Sequence, residues 1–258
     1  MQQSRDAFAG SSKRGKIAVV TGAARGLGRA FARRLASECA TVFAVDRLPA
    51  PGLEQELQGL GGHGSEVHQI DVCNPAEVSA LARAVLARHS RCDILVNNAG
   101  VAAHQRLLEI SLEDWRRIMS VNVESMFLLC KAFAPAMIAQ RYGRIVNISS
   151  NTVGLVVADV APYITSKAAV IGLTRAIATE FGQHGITANC IAPGLTRTEH
   201  TMQALSDEAF EQYARMQAIK RPELPEDLVG TLSFLTSDDS SFMTGQTLVV
   251  DGGLLRAL

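Results

Sequence analysis

The sequence predicts an α/β fold: one doubly wound, seven-stranded parallel sheet with helices on both faces. Three observations predict it. Short apolar, β-branched runs alternate with helix-period segments along the 258-residue chain. That is the pattern of strands buried on both faces and joined by right-handed crossovers. No linker, internal repeat or low-complexity segment divides the chain, so 16–258 is expected to be a single domain. Six strand-like runs end on small or polar residues: Thr21-Gly22, Asp46, Asp71-Val72, Asn97-Asn98-Ala99-Gly100, Ser149-Ser150 and Pro193-Gly194. In such sheets ligands bind beyond the carboxyl ends of the strands.

Residues 1–15 are polar and read as a flexible or loosely docked tail. The first strand is 16–21. Gly22, Gly26 and Gly28 follow in G-x-x-x-G-x-G spacing, and 27–40 carries Ala30, Phe31, Leu35 and Ala36 at helical spacing. Strand, glycine turn and helix N-terminus suit a diphosphate: glycine permits close approach, and the free N–H groups and helix dipole favour an anion. A second strand, 41–45, ends at Asp46. Residues 53–60 look helical and close at Gly61-Gly62. Residues 66–72 are a third strand. Asn74-Pro75 opens a helix to about 89, and 93–96 is a fourth strand. The segment 112–141 reads as a long helix interrupted near Pro135. Residues 144–149 are a strand, 162–182 a helix, and 186–191 a strand. The stretch 195–224 is polar with helical patches, 224–235 is helical, and 246–250 is the last strand.

Composition excludes several functions. Twenty-five basic residues balance twenty-five acidic ones, so no nucleic-acid or membrane-surface partner is expected. Five scattered cysteines with no C-x-x-C read as reduced thiols, and no metal site is expected. With neither a signal-peptide pattern nor an apolar run of spanning length, a soluble cytoplasmic protein is expected.

Asp46 lies 18 residues beyond Gly28. An acid there accepts from an adenosine ribose and repels a 2′-phosphate, which favours NAD over NADP. Arg25 and Arg47 pull the other way, because a guanidinium can meet that phosphate. Asp71 and Val72 are placed beside the adenine. Tyr163 and Lys167 are one turn apart on a predicted helix. A phenol near pKa ~10 needs help to act as a base at neutral pH, and a neighbouring ammonium favours the phenolate. Ser150 precedes Tyr163 by 13 residues at a strand end. Its hydroxyl reaches the same crevice and can hold a substrate oxygen. Ser149 competes for that place, since strand alternation puts only one of the pair into the site.

These motifs resemble the short-chain dehydrogenase/reductase family over about 14–253, with the Rossmann-like fold that the family implies. The residues that carry the resemblance are Thr21-Gly22-Ala23-Ala24-Arg25-Gly26-Leu27-Gly28, Asn97-Asn98-Ala99-Gly100, Asn122 within Val-Asn-Val, Ser150, Tyr163 with Lys167, and Asn189 to Pro193-Gly194. The resemblance implies a general acid/base role for Tyr163. Lys167 lowers its pKa and grips the nicotinamide ribose, and Ser150 orients the substrate oxygen. Asn122 holds a water that links Lys167 to solvent. Asn98, Ala99 and Gly100 support the cofactor, and Pro193, Gly194, Thr196 and Thr198 face the nicotinamide and its phosphate. The C-terminal run is similar to dehydrogenases of aromatic secondary alcohols such as 1-phenylethanol. Ser149-Ser150-Asn151-Thr152 is also similar to pyridoxal 4-dehydrogenase.

The family's pocket wall falls here on Thr152, Val157, Val160 and Leu195, with no arginine or lysine between Ser150 and Tyr163. An NAD-dependent oxidoreductase of an apolar secondary alcohol and its ketone is therefore expected. The alternatives are an NADPH-dependent reductase of the 3-oxoacyl-thioester kind, a pyridoxal 4-dehydrogenase-like enzyme, and a nucleotide-sensing protein on the same fold. Residues 195–216 are expected to form a mobile helical lid. Apolar helix faces (Trp115, Ile118, Met126, Phe127, Phe133, Val170) exceed what one sheet face needs, and the resemblance implies a homotetramer.

Overall fold

The computed structural model describes residues 13–256. The seven strands are β1 (Ile17–Thr21), β2 (Thr41–Asp46), β3 (Glu66–Gln69), β4 (Ile94–Asn97), β5 (Gly143–Ile148), β6 (Ile186–Pro193) and β7 (Thr247–Val250). They form one parallel sheet in the order β3-β2-β1-β4-β5-β6-β7. The chain reverses direction across the sheet between β1 and β4, and a crevice opens there beyond their carboxyl ends.

The continuous apolar runs are explained by burial on both faces. Ile17 and Val19 of β1 join one core with Phe43, Leu95, Leu129, Phe133 and Met137. Ala18 and Val20 join the other with Phe31, Leu35, Leu53, Leu228 and Leu232. Helices α3 (Pro75–His89) and α5 (Ser125–Gln140) cover the first face. Helices α1 (Gly26–Ser37), α2 (Leu53–Gly59) and α9 (Glu226–Leu235) cover the second. Asn74 caps α3 by accepting from Ala76 N at 3.0 Å, with Pro75 at the first helical position.

Three expectations need correction. Residues 1–12 lie outside the described residues, but 13–15 are not a loose tail. Lys13 is buried, and its Nζ donates to the Ser233 carbonyl at 3.1 Å. The break in the long helix is not at Pro135, which sits inside α5. It comes earlier: α4 (Leu112–Met119) passes through a π-turn at Ser120–Glu124, whose centre is Asn122. Such turns mark functional positions in helices. Finally, Ile118, Met126, Phe133 and Val170 are already buried within the single chain; Phe127 remains half exposed. The 112–140 helix is long and apolar enough to cross a membrane by composition. Leu129, Phe133 and Met137 pack it against the sheet instead.

The lid region folds into α7 (Glu199–Ala204) and α8 (Asp207–Met216). Its weak periodicity concealed two fully buried residues, Phe210 and Ala214. Arg197 stacks its guanidinium 5.5 Å from the Phe210 ring centre and pairs with Asp207.

Candidate active site

The glycine turn is shaped by close backbone packing. A Cβ on Gly28 would run into the Gly22 carbonyl and the Asn98 side chain. Gly22 and Gly26 take positive φ (66° and 55°), where a side chain is strained. Gly28→Ala is therefore expected to lose cofactor binding and about 1–3 kcal/mol of stability. Calorimetric titration and thermal melting check this.

The N-cap of α1 is Arg25, which makes no side-chain cap. The first amides of the helix are thus left for another partner. Gly26 N–H donates to Glu199 Oε2 at 3.0 Å. A carboxylate oxygen stands there as an anion, so the cradle fits a diphosphate oxygen. Thr198 packs against Gly26, since a Cβ at that glycine would lie 3.2 Å from the Thr198 Cβ. Leu27 packs beside the second core.

Asp46 sits at the carboxyl end of β2, facing this turn. It accepts from Ala24 N and Leu48 N, each at 2.9 Å. It therefore braces the loop as well as presenting charge beside it. Arg25 is half-buried, with His200 Nδ1 at 3.5 Å, and Arg47 is exposed. Asp71 closes a tight turn by accepting from Cys73 N at 2.9 Å. Val72 turns its side chain into the first core. Asn98 and Ala99 lock β4 to β1: both backbone amides donate to Thr21 Oγ1 (3.0 and 3.1 Å), and Asn98 Nδ2 donates to the Thr21 carbonyl at 2.9 Å. The sequence marks Thr21 as a strand end and as the head of the glycine motif; its part as a latch between β1 and β4 is seen only in the structure.

The catalytic residues converge beside this turn. Helix α6 (Ala161–Phe181) carries Tyr163 and Lys167 one turn apart. Strand β5 ends at the serine pair, and alternation separates the two. Ser149 is buried and donates to the Lys167 carbonyl at 2.9 Å, holding α6 to the sheet. Ser150 is left on the site side, where its Oγ accepts from Thr152 Oγ1 at 2.9 Å. Lys167 Nζ donates to the Ile148 carbonyl at 2.8 Å and stands 5.6 Å from the centre of the Tyr163 ring. Burial brings the ammonium down to about 8.

Burial raises the Tyr163 phenol, and the Ser150 hydroxyl opposes that rise. The Lys167 ammonium lies over the ring while bonded to a main-chain carbonyl. Asn122, in the π-turn, accepts from Val101 N at 2.8 Å and donates to the Val101 carbonyl and to Ser166 Oγ, both at 2.9 Å. A Cβ on Gly100 would meet both Asn122 Oδ1 and Lys167 Nζ at 3.4 Å, so the three crowd one corner. On the wall, Val160 is buried at the start of α6, while Thr152, Val157 and Leu195 are half-buried.

Three further buried polar residues, to which the sequence assigns no site role, are Asn151, Glu223 and Asp251. Asp251 accepts from Asn151 Nδ2 at 3.0 Å and from the amides of Gly253, Leu254 and Leu255. It ties the loop after Ser150 to the C-terminal turn. Asp251 acts on the turn that follows it, whereas Asn151 and Glu223 meet partners 100 and 29 residues away that only the fold brings close. Among the described residues, no three His, Cys, Asp or Glu side chains gather as a metal set.

A parallel sheet, a glycine cradle at its crevice and Ser150, Tyr163 and Lys167 alongside define a nicotinamide-dependent oxidoreductase. The chain belongs to the short-chain dehydrogenase/reductase family: residues 22–255 match the family profile described as Enoyl-(Acyl carrier protein) reductase. It is 37% identical over 244 residues to a 3-oxoacyl-(acyl-carrier-protein) reductase of Synechocystis sp., covering 93% of this chain and 97% of that one. The corresponding reductase of Escherichia coli K12 is 35% identical over 240 residues, with the same coverage. A crystal structure of gluconate 5-dehydrogenase from Burkholderia cenocepacia, in complex with NADP and tartrate, superposes with a TM-score of 0.88 at 35% identity. It covers 95% of this chain and 97% of that one. These relatives carry reductase and gluconate names; they do not support the aromatic-alcohol branch expected from the C-terminal run.

Proposed function

We propose that the chain is a carbonyl reductase of the 3-oxoacyl-thioester kind. The observation that carries this reading is the wall beside the catalytic residues: from Ser150 to Tyr163 it offers no arginine or lysine, and Val157 and Val160 stand on it. Tyr163, protonated as a phenol is at neutral pH, is the donor to a carbonyl becoming an alcohol. The bound cofactor would supply the hydride. Ser150 holds the carbonyl oxygen, Tyr163 delivers the proton to it, and Lys167 and Asn122 fix the corner in which this happens. The names of the relatives at 35–37% identity support the same substrate class.

The gluconate name of the structural relative points elsewhere. A hexonate needs a cation for its carboxylate. The wall from Ser150 to Tyr163 offers none, and Arg197 is already paired with Asp207. An apolar acyl chain fits that wall better. A simple apolar ketone fits it too, and the 3-hydroxyacyl product is itself a secondary alcohol.

For the cofactor, the relative with NADP and the Asp46 carboxylate pull in opposite directions. Asp46 is fixed by two backbone amides at the end of β2, whereas Arg47 is exposed and Arg25 is half-buried beside His200. A fixed charge close to the ribose outweighs screened ones, so NAD(H) is preferred and NADP(H) admitted. Asp46→Ala is expected to shift the ratio of kcat/KM values toward NADP(H) by about tenfold or more, the order of one lost charge repulsion. Steady-state assays with both reduced cofactors measure it; an unchanged ratio removes Asp46 from cofactor selection. A homotetramer in the cytoplasm goes with this reading, with the exposed Phe127 and Leu112 on the contact face. Light scattering at micromolar concentration that returns a monomer contradicts it.

A further inference from the structure

We propose that Glu223 is a positioning residue for hydride transfer, clamping the loop 193–198 in the shape that the nicotinamide side of the site requires. The inference rests on the reading of that loop as the cofactor's neighbour.

Glu223 is 4% exposed and lies just before α9. Its Oε1 accepts from Thr196 Oγ1 at 2.5 Å, and its Oε2 accepts from Gly194 N at 3.1 Å. Its own carbonyl accepts from Arg197 N at 2.7 Å, and Thr196 and Glu223 form an isolated parallel bridge. One residue therefore fixes three successive parts of the loop. Gly194 is pressed from two sides: a Cβ there would lie 2.9 Å from Glu223 Oε2 and 3.0 Å from the Asp251 Cβ.

The surrounding charges make this an expensive clamp. Arg221 is committed to Asp227 at 2.6 Å, and Arg197 to Asp207. Asp251, on the far side, is taken up by Asn151 and three backbone amides. Among the described residues no cation forms a salt bridge with Glu223, although Arg221 lies near enough to feel its charge. Burial raises its carboxyl to about 7; the bonds from Thr196 and Gly194 oppose that rise, and Asp227 and Asp251 add to it. The ionised carboxylate accepts from both loop donors. The neutral acid carries a proton on one oxygen, and beside Thr196 that oxygen donates where it accepted before. The Thr196 hydroxyl must then turn. A buried group that changes charge near neutrality, joined to a loop at the site, has the character of a functional rather than a packing residue.

The test uses the full-length protein and the variants Glu223→Gln, which removes the charge and turns one of the two acceptor oxygens into a donor, and Thr196→Val, which removes the hydroxyl that donates to it. The dissociation constant of the reduced cofactor is read by its fluorescence, without substrate, at pH 6 and pH 8.5. At pH 8.5, where wild-type Glu223 is ionised, Glu223→Gln should bind about three- to tenfold more weakly. At pH 6, where the wild-type residue is itself neutral, the gap should close. Turnover of a 3-oxoacyl thioester should fall at least tenfold at pH 8.5 with little change in its KM, and Thr196→Val should move in the same direction. A merely structural role would lower the melting temperature and shift neither the pH dependence of binding nor the split between kcat and KM. If wild type binds cofactor and Glu223→Gln matches it at both pH values, the proposal is overturned while the functional reading stands. If wild type binds neither NADH nor NADPH, both fall together.

Discussion

Tyr163→Phe is expected to reduce carbonyl turnover by about 10²–10⁴-fold, the usual contribution of a positioned proton donor. Cofactor affinity should stay within a few-fold of wild type. The substitution removes one oxygen from a ring that keeps its packing at the start of α6. Nothing in the glycine turn, Asp46 or the Asn98 latch depends on that oxygen. A phenol carries its proton at neutral pH, so the donor is already in place in the direction of reduction. In the reverse direction the base must first lose that proton, so alcohol oxidation should be slow at pH 7 and accelerate as pH rises. Initial rates in both directions across pH 6–10 test this; oxidation that is pH-independent would count against Tyr163 as the base.

Lys167→Met should have the second largest effect, and it separates function from stability. Turnover should fall by roughly 10²–10³-fold, as expected when an orienting group for the acid is lost. Stability should change in a pH-dependent way. The folded pKa of Lys167 is depressed from 10.5 to about 8. The unfolded chain therefore binds more protons than the folded one between those values. The folded state carries the full penalty below pH 8 and sheds it as pH rises toward 10.5. Lys167 is 3% exposed, so little solvent screening applies, and the span corresponds to about 3 kcal/mol. Methionine carries no such penalty, but it leaves the Ile148 carbonyl without its donor, a cost of about 1–3 kcal/mol. The stability of the variant relative to wild type is thus expected to drop by about 3 kcal/mol between pH 7 and 10.5. Urea unfolding of both proteins across that range measures it. A difference that stays flat with pH would mean that Lys167 is not a buried ammonium.

The fold was legible because burial on both faces writes itself as continuous apolar strands. Ile17 and Val19 serve one core and Ala18 and Val20 the other, so the first four positions of β1 are all apolar. The glycine turn was legible because Gly28 has no room for a side chain, and Tyr163 with Lys167 because a helix places residues four apart on one face. Other features were hidden for physical reasons. A proline inside a helix looks like a break, yet Pro135 is accommodated within α5, while the π-turn around Asn122 has no local signature. Sequence spacing brings Lys167 and Tyr163 near each other but does not say which atom the ammonium bonds. Here it points to Ile148. Glu223 and Asp251 lie 29 and 57 residues along the chain from Gly194, whose two sides they press. Only the close packing of β6, β7 and the loop before α9 makes them neighbours.

The most direct measurement is the oxidation of NADH and NADPH by the wild-type protein with a 3-oxoacyl thioester, followed by absorbance with the product identified by mass spectrometry. The account predicts one reduced cofactor consumed per 3-hydroxyacyl thioester formed, the thioester bond intact, and no reaction with Tyr163→Phe. Turnover of gluconate or of 1-phenylethanol, with the 3-oxoacyl thioester left untouched, would contradict it.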